Sequence, residues 1–479
     1  MRGIIIILHY NNSNNTCNAA VAVADGSKAA VAAVFSVFGG YMKLTDGLSV
    51  QNGHLFIADS DACTLAKKYG TPLYVMNYDL IRARCRELRK AMDKYCPGGR
   101  VMFASKAFMN EAMCRIAYNE GLGLDVVSGG ELYTALHAGI PGDCLELHGN
   151  NKTEHEIELA LKNNIYRIII DGFDEIALIK SIAKRMGKKN IPVSIRLRPG
   201  IEAHTHEAIQ TANLDCKFGF SVSGGEAMKA AEMLLGDDTF RLCGVHCHIG
   251  SQIFQTSPFS VLCAHFVDFA QRLRQKTGYT AEEFNFGGGF GVWYVNGDTP
   301  VELGSYIKTI ADTLKELCAQ ASFPMPHITV EPGRSIVGEA GTTLYTVGGV
   351  KNIPGIRTYV SVDGGMFDNP RCALYDSHYT VVCADRADAP HDNTITLAGK
   401  CCESGDIITK DALLPQDIRP GETVAVLTTG AYNYSMASNY NRNGVPAVVL
   451  VGKGTESIIV KRQTYEDLVS HDVLPDFLK

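Results

Sequence analysis

Between residues 101 and 331, eight short runs rich in β-branched and aromatic residues alternate with helix-like stretches. The runs are VMFAS (101–105), LGLDVV (122–127), CLELH (144–148), YRIIID (166–171), VSIRLR (193–198), CGVHCH (243–248), EFNFGG (283–288) and HITVE (327–331). In the intervening stretch KTEHEIELALKNN, Thr153 and Glu156 have the spacing of a capping box. Eight strand–helix units in roughly 230 residues is the length of a (β/α)8 barrel. An open, doubly wound sheet shows the same alternation with fewer repeats and is the runner-up.

After about residue 340 the helical periodicity fades. TTLYTVGGVKN, RTYVSVDGG, YTVVCAD, TITLAG, ETVAVLTTGAY and PAVVLVG are short β runs punctuated by Gly, Pro and Asp, the pattern of an all-β domain. LSVQNGHLFIADSD, ahead of the barrel, has the same character and is expected to join it. The expected division is an extension without function over 1–41, a segment of the β-domain over 42–75, the barrel over 76–340, and the C-terminal β-domain over 341–479.

A charged fraction of 20% and a hydrophobic fraction of 46% are those of a soluble globular enzyme. A net charge of −6 without a basic stripe argues against a nucleic-acid partner. The 15 cysteines are odd in number and form no C-x-x-C pair, which speaks against a disulfide framework or a structural zinc module. The expected location is therefore the reducing cytoplasm, with a plastid as the other compartment considered. MRGIIIILHYNN has too short an apolar run for a signal-peptide core, and the Ala/Val-rich stretch after it is interrupted by Asp25 and Lys28, so no membrane partner is expected.

A barrel's chemistry belongs at the C-terminal ends of its strands. The first strand ends at Lys106, the second carries Asp125, the third ends at His148 and the fifth at Arg198. His246 and His248, two apart on the sixth strand, share a face and raise the idea of a metal-dependent barrel hydrolase, and HTH at 204–206 offers another such pair. No matching carboxylate–histidine set is visible in the sequence, and no metal is expected. The seventh strand ends in FGGGFG, whose glycines let backbone N–H groups approach a phosphate, and the eighth in EPGRS, with Glu331 and Arg334. Lysine, glycine loop and arginine on one rim point to a phosphorylated aldehyde cofactor held by Lys106 as a Schiff base. His248 would stack on its ring and Glu331 would face a ring nitrogen. A carboxylate there keeps a pyridine nitrogen protonated and the ring a strong electron sink, which suits decarboxylation.

With these residues assembled, the chain resembles the fold type III pyridoxal 5'-phosphate decarboxylases, which pair an alanine-racemase-like barrel with a C-terminal β-domain. Within them it is most similar to the diaminopimelate decarboxylase branch. The resemblance runs from about residue 45 to 470 and rests on FASKA, DVVSGGEL, HGNNKT, RLRPGIEAHTH, KFGF, HCHIGSQI, FNFGGGF, EPGRSIVG, DNPRCALYDSHY, CESGD and GAYNYSMASNYN. It implies conversion of meso-2,6-diaminopimelate to L-lysine and CO2, the last step of lysine biosynthesis. Lys106 and His248 then serve catalysis and cofactor binding. Asp125, Ser251, Gly288, Gly289, Glu331, Gly333, Arg334 and Tyr432 surround the cofactor. Arg334, Arg371, Tyr375 and Tyr432 meet substrate carboxylates, and Glu403 the distal ammonium. Cys402 is implied to donate a proton from the partner subunit of a homodimer with shared sites. An ordinary thiol, with a pKa of about 8.5, is mostly protonated near neutrality and can do so.

The Arg–Tyr pair in DNPRCALYDSHY implies a second acid group on the substrate, which ornithine lacks; carboxynorspermidine, arginine and ornithine decarboxylases are the alternative readings. Ala212, Cys216 and Cys372 stand where the family more often has Gly, Ser and Pro. Cys401 doubles the expected cysteine, so the choice of Cys402 rests on register.

Overall fold

The computed structural model describes residues 43–200 and 215–479 in full. Of residues 1–42 it describes only the backbone of the paired strands Ile5–Asn11 with Thr16–Ala22 and Phe35–Val37 with Gly40–Met42. The extension expected at 1–41 falls largely outside the described residues, as do Ala212 and the histidines of the HTH motif.

Eight parallel strands close into a barrel: β1 (Arg100–Ala104), β2 (Gly123–Val126), β3 (Leu145–Leu147), β4 (Arg167–Ile170), β5 (Ile191–Arg198), β6 (Phe240–His246), β7 (Glu283–Asn285) and β8 (His327–Val330). Each pairs with the next, and β8 pairs with β1 through Thr329–Arg100 and Val330–Val101. That last pairing excludes the open sheet, which would leave two strand edges. The crossover helices start where the local chemistry dictates. Asn110 and Ser128 cap Glu111–Asn119 and Gly129–His137, and Thr153 with Glu156 forms the expected capping box on Glu154–Lys162.

The barrel core is partly polar. Glu146 on β3 and Asn285 on β7 are both fully buried and hydrogen-bonded to each other, although their strands are not neighbours. Such a bond has to cross the barrel interior. Glu283, at the start of β7, is also buried and is held by Arg167 and Tyr166.

The chain divides into two compact units, the barrel unit (81–292 and 298–338) and a β-rich unit (43–80, 293–297 and 339–479 of the described residues). In the latter, Leu73–Asn77 lies inside the sheet, antiparallel to Gly341–Ile353 and parallel to Ala447–Gly452. The segment preceding the barrel thus supplies an interior strand to the β-domain. Leu55, Leu65, Leu73, Val75, Leu344, Val382, Leu427 and Val449 pack into its core. Trp293–Gly297 belongs to this unit although it lies within the barrel's sequence. Trp293 is buried there, and the Tyr294 carbonyl accepts from Thr380 Oγ1 at 2.9 Å.

Every described cysteine is a free thiol, most of them buried. Among the described residues, no helix is long and apolar enough to cross a membrane.

Candidate active site

Lys106 sits in the single turn Ser105–Ala107 directly after β1, and its Nζ lies 3.1 Å from Oδ2 of Asp125 on β2. Asp125 is wholly buried, whereas the lysine side chain keeps 39% of its surface. The adjacent parallel strand thus supplies a fixed counter-ion to an amine that still reaches the rim.

On the other side of β1, Glu331 follows the neighbouring strand β8 and is gripped by two imidazoles. His148 Nε2 lies 3.0 Å from Oε1, and His246 Nε2 lies 3.3 Å from Oε2, with the two rings edge-to-face at 4.8 Å. Burial works against a charge on His148, but Asp125 and Glu331 outweigh it and raise its pKa to about 10. Burial dominates at His246 and lowers it to about 4. One imidazolium and one neutral imidazole therefore bind the same carboxylate. Burial also opposes ionisation of Glu331, yet the positive charge of His148 and the hydrogen bond from His246 hold its pKa well below the usual carboxylate range.

This cluster corrects the sequence reading at two points. A carboxylate–histidine set does exist, since the ligand atoms of His148, His246 and Glu331 all lie within 4.8 Å of one another. Its members come from three strands, a convergence that no spacing reveals. The pair His246/His248 is also split. His248 Nδ1 accepts from the Gly288 amide at 3.2 Å instead. Desolvation and the cationic Lys106 and Arg196 hold the His248 ring neutral, with a pKa well below the ordinary value.

The loops after β6, β7 and β8 nest against one another. A Cβ on Gly288 would lie 2.2 Å from the Glu331 carbonyl oxygen, and one on Gly289 (φ 103°) 2.4 Å from that of Gly250. Arg334 is buried, and its Nη2 donates to Ser251 Oγ at 3.2 Å. Gly333 packs against Ala104 and Ala107, at the end of β1 and in the turn that carries Lys106.

These barrel residues fit pyridoxal phosphate by their own chemistry. They offer an amine for the aldehyde, a neutral flat imidazole for the ring and an ionised buried carboxylate for a protonated ring nitrogen. A side-chain-free glycine loop and a Ser–Arg pair are suited to a phosphate.

The remaining candidates lie in the β-rich unit. The buried Arg371 guanidinium is 5.0 Å from the Tyr375 ring centroid and 5.5 Å from that of Tyr432. Tyr432 adopts φ 62°, a conformation that costs a non-glycine residue about 1 kcal/mol or more. Cys402 and Glu403 are exposed on a separate turn, where the Cys402 amide donates to Asn441 Oδ1 at 2.8 Å. Cys401 is half-buried beside Asp406, and burial together with that carboxylate pushes its thiol up to about 11. The neighbouring thiols thus differ in exposure. Sequence reasoning assigned no role to His148 or Asn285, and considered His246 only as a metal ligand paired with His248, not as a partner of Glu331. Only the position of His148 at a strand end, inside HGNNKT, signalled it.

Residues 78–338 match the family model described as the pyridoxal-binding domain of pyridoxal-dependent decarboxylases. Diaminopimelate decarboxylase of Bacillus subtilis is 47% identical over 423 residues, 88% of this chain and 96% of that protein. The crystal structure of diaminopimelate decarboxylase from M. jannaschii superposes with a TM-score of 0.82 at 35% identity, covering 91% of this chain and 99% of that one. That from Helicobacter pylori, complexed with L-lysine, does so with a TM-score of 0.77 at 31% identity, covering 85% and 98%. With this coverage, and with the lysine, histidine and glutamate of the barrel rim in place, the chain belongs to the pyridoxal-dependent decarboxylases, in their diaminopimelate decarboxylase branch.

Proposed function

We propose that the protein decarboxylates meso-2,6-diaminopimelate to L-lysine and CO2, the last step of lysine biosynthesis, as a cytoplasmic homodimer. The observation that carries this reading is Glu331, kept ionised in the barrel by His148 and His246 while Lys106 stands at the rim. Bound pyridoxal phosphate supplies the electron sink for the pair released when the bond to the α-carboxylate breaks.

The chain's residues divide the remaining work. Lys106 anchors the cofactor covalently, and Asp125 keeps the amine in place. His248 supports the ring, and Glu331 retains the proton on its nitrogen. Ser251, Gly288, Gly289, Gly333, Arg334 and Tyr432 hold the phosphate and its surroundings. Arg334, Arg371, Tyr375 and Tyr432 bind substrate carboxylates, since a guanidinium grips a carboxylate by two parallel hydrogen bonds. Glu403 receives the distal ammonium. Cys402, exposed on its turn, delivers the proton to Cα from the second subunit.

The test is equimolar formation of lysine and CO2 from meso-diaminopimelate by the protein supplied with pyridoxal phosphate. Borohydride reduction should fix the cofactor on Lys106, and Lys106→Ala should lose both label and turnover. A label on another lysine, or turnover surviving Lys106→Ala, overturns the assignment.

A further inference from the structure

Glu146 is a buried carboxylate that this mechanism leaves unused. It sits on β3 with no exposed surface, two residues before His148 and on the same face of the strand. Its neighbours in the core already have cations: Glu283 pairs with Arg167 at 3.3 Å, Asp125 with Lys106 at 3.1 Å, and Glu331 with His148 at 3.0 Å. Glu146 shares only His148, at 3.7 Å, and its Oε2 has no hydrogen-bond partner among the described residues. Burial accordingly pushes its carboxyl above the usual range. An unsatisfied buried oxygen is destabilising, so an apolar side chain would serve stability better at this position.

The contact it does make leads to the catalytic carboxylate. Asn285 Nδ2 donates to Glu146 Oε1 at 3.1 Å and to Glu331 Oε1 at 2.7 Å. Asn285 Oδ1 accepts the Gly287 amide at 3.0 Å, which fixes the amide's orientation and turns both of its protons toward the two glutamates. Without an acceptor at residue 146, one of those protons is stranded and the amide loses half of its reason to stay in plane.

We propose that Glu146 is a positioning residue: through Asn285 it fixes the orientation of the Glu331 carboxylate on which the cofactor's ring nitrogen relies. The inference rests on the pyridoxal reading given above. It predicts that an oxygen at residue 146 matters and that a charge there does not.

The experiment compares Glu146→Leu, Glu146→Gln, Asn285→Ala and the Leu/Ala double variant with the wild-type protein. Each is examined for pyridoxal phosphate retention on dialysis, for the pH titration of the bound cofactor's absorbance, and for kcat and KM. Glu146→Leu should lower retention and kcat about tenfold with KM nearly unchanged, the size of one hydrogen bond to a charged network. It should also shift the absorbance titration, which a purely structural residue would not do. Glu146→Gln should behave as wild type. The double variant should be no worse than Asn285→Ala alone, because the two residues act in series.

Wild-type retention, titration and kcat in Glu146→Leu would overturn the proposal. So would additive losses in the double variant, or a tenfold loss in the near-isosteric Glu146→Gln, whose fold is least at risk. A wild-type protein that binds no pyridoxal phosphate would overturn the underlying reading instead, and the two failures are thus told apart.

Discussion

At the scale of single residues, the site is organised by charge. Glu331 faces two imidazoles of different protonation, so Glu331→Gln removes the ion while keeping the shape and should cut kcat about 10²–10³-fold with the fold intact. For the two adjacent thiols, Cys402→Ala should slow turnover by about 10²–10⁴-fold, the range of a lost general acid, while the cofactor's absorbance persists. Cys401→Ala should stay within a few-fold; the reverse order in stopped-flow or steady-state assays would move the proton donor by one residue. His148 links the site to stability. Its pKa rises from 6.5 unfolded to about 10 folded, so its contribution is complete below the lower value and is lost as pH rises through the higher one. The Tm of the cofactor-free protein should therefore fall as pH rises across that window, and His148→Gln should flatten the decline. Lys106, His248 and Glu331 were legible in the sequence because each stands at or just past a strand end. The grip of His148 and His246 on Glu331 was not, because it joins β3, β6 and β8 across the barrel, and sequence spacing carries no trace of such contacts.

At the scale of elements, short staples hold the site-bearing loops. Lys152 is buried, and its Nζ donates to the carbonyls of Gly149 (2.8 Å) and Ile169 (2.6 Å) and pairs with Glu175 at 2.6 Å. Glu175 in turn accepts the Asp171 amide at 2.9 Å, which ties the loop after β3 to the end of β4. Lys152→Met strands Glu175 as an uncompensated buried carboxylate and should cost about 3–5 kcal/mol, read by denaturant unfolding. A loss under 1 kcal/mol would show that the staple is dispensable. The eight barrel strands and the Thr153 capping box were legible because local periodicity and caps are written in neighbouring residues. The excursion of Trp293–Gly297 into the β-rich unit was not, since its cause is the burial of Trp293 and a hydrogen bond from Thr380, far away in sequence.

At the scale of the whole molecule, the proposed roles of Lys106 and Cys402 fall on different subunits of a homodimer. Mixing inactive Lys106→Ala with the weakly active Cys402→Ala under conditions of subunit exchange should then restore about a quarter of the wild-type activity, through hybrids that hold one intact site. No gain on mixing would place both groups in one subunit. The two-unit architecture was readable from the shift from alternating strand–helix units to short β runs near residue 340. Subunit pairing has no comparable signature in a single chain. The central claim is that the site selects an α-amino acid with a distal carboxylate, and the most direct measurement is CO2 release from meso-diaminopimelate, ornithine, arginine and carboxynorspermidine under identical conditions with added pyridoxal phosphate. Rapid release is expected from meso-diaminopimelate alone, weakened in Arg371→Ala through KM; release from the other three with none from meso-diaminopimelate would overturn the distal-carboxylate assignment.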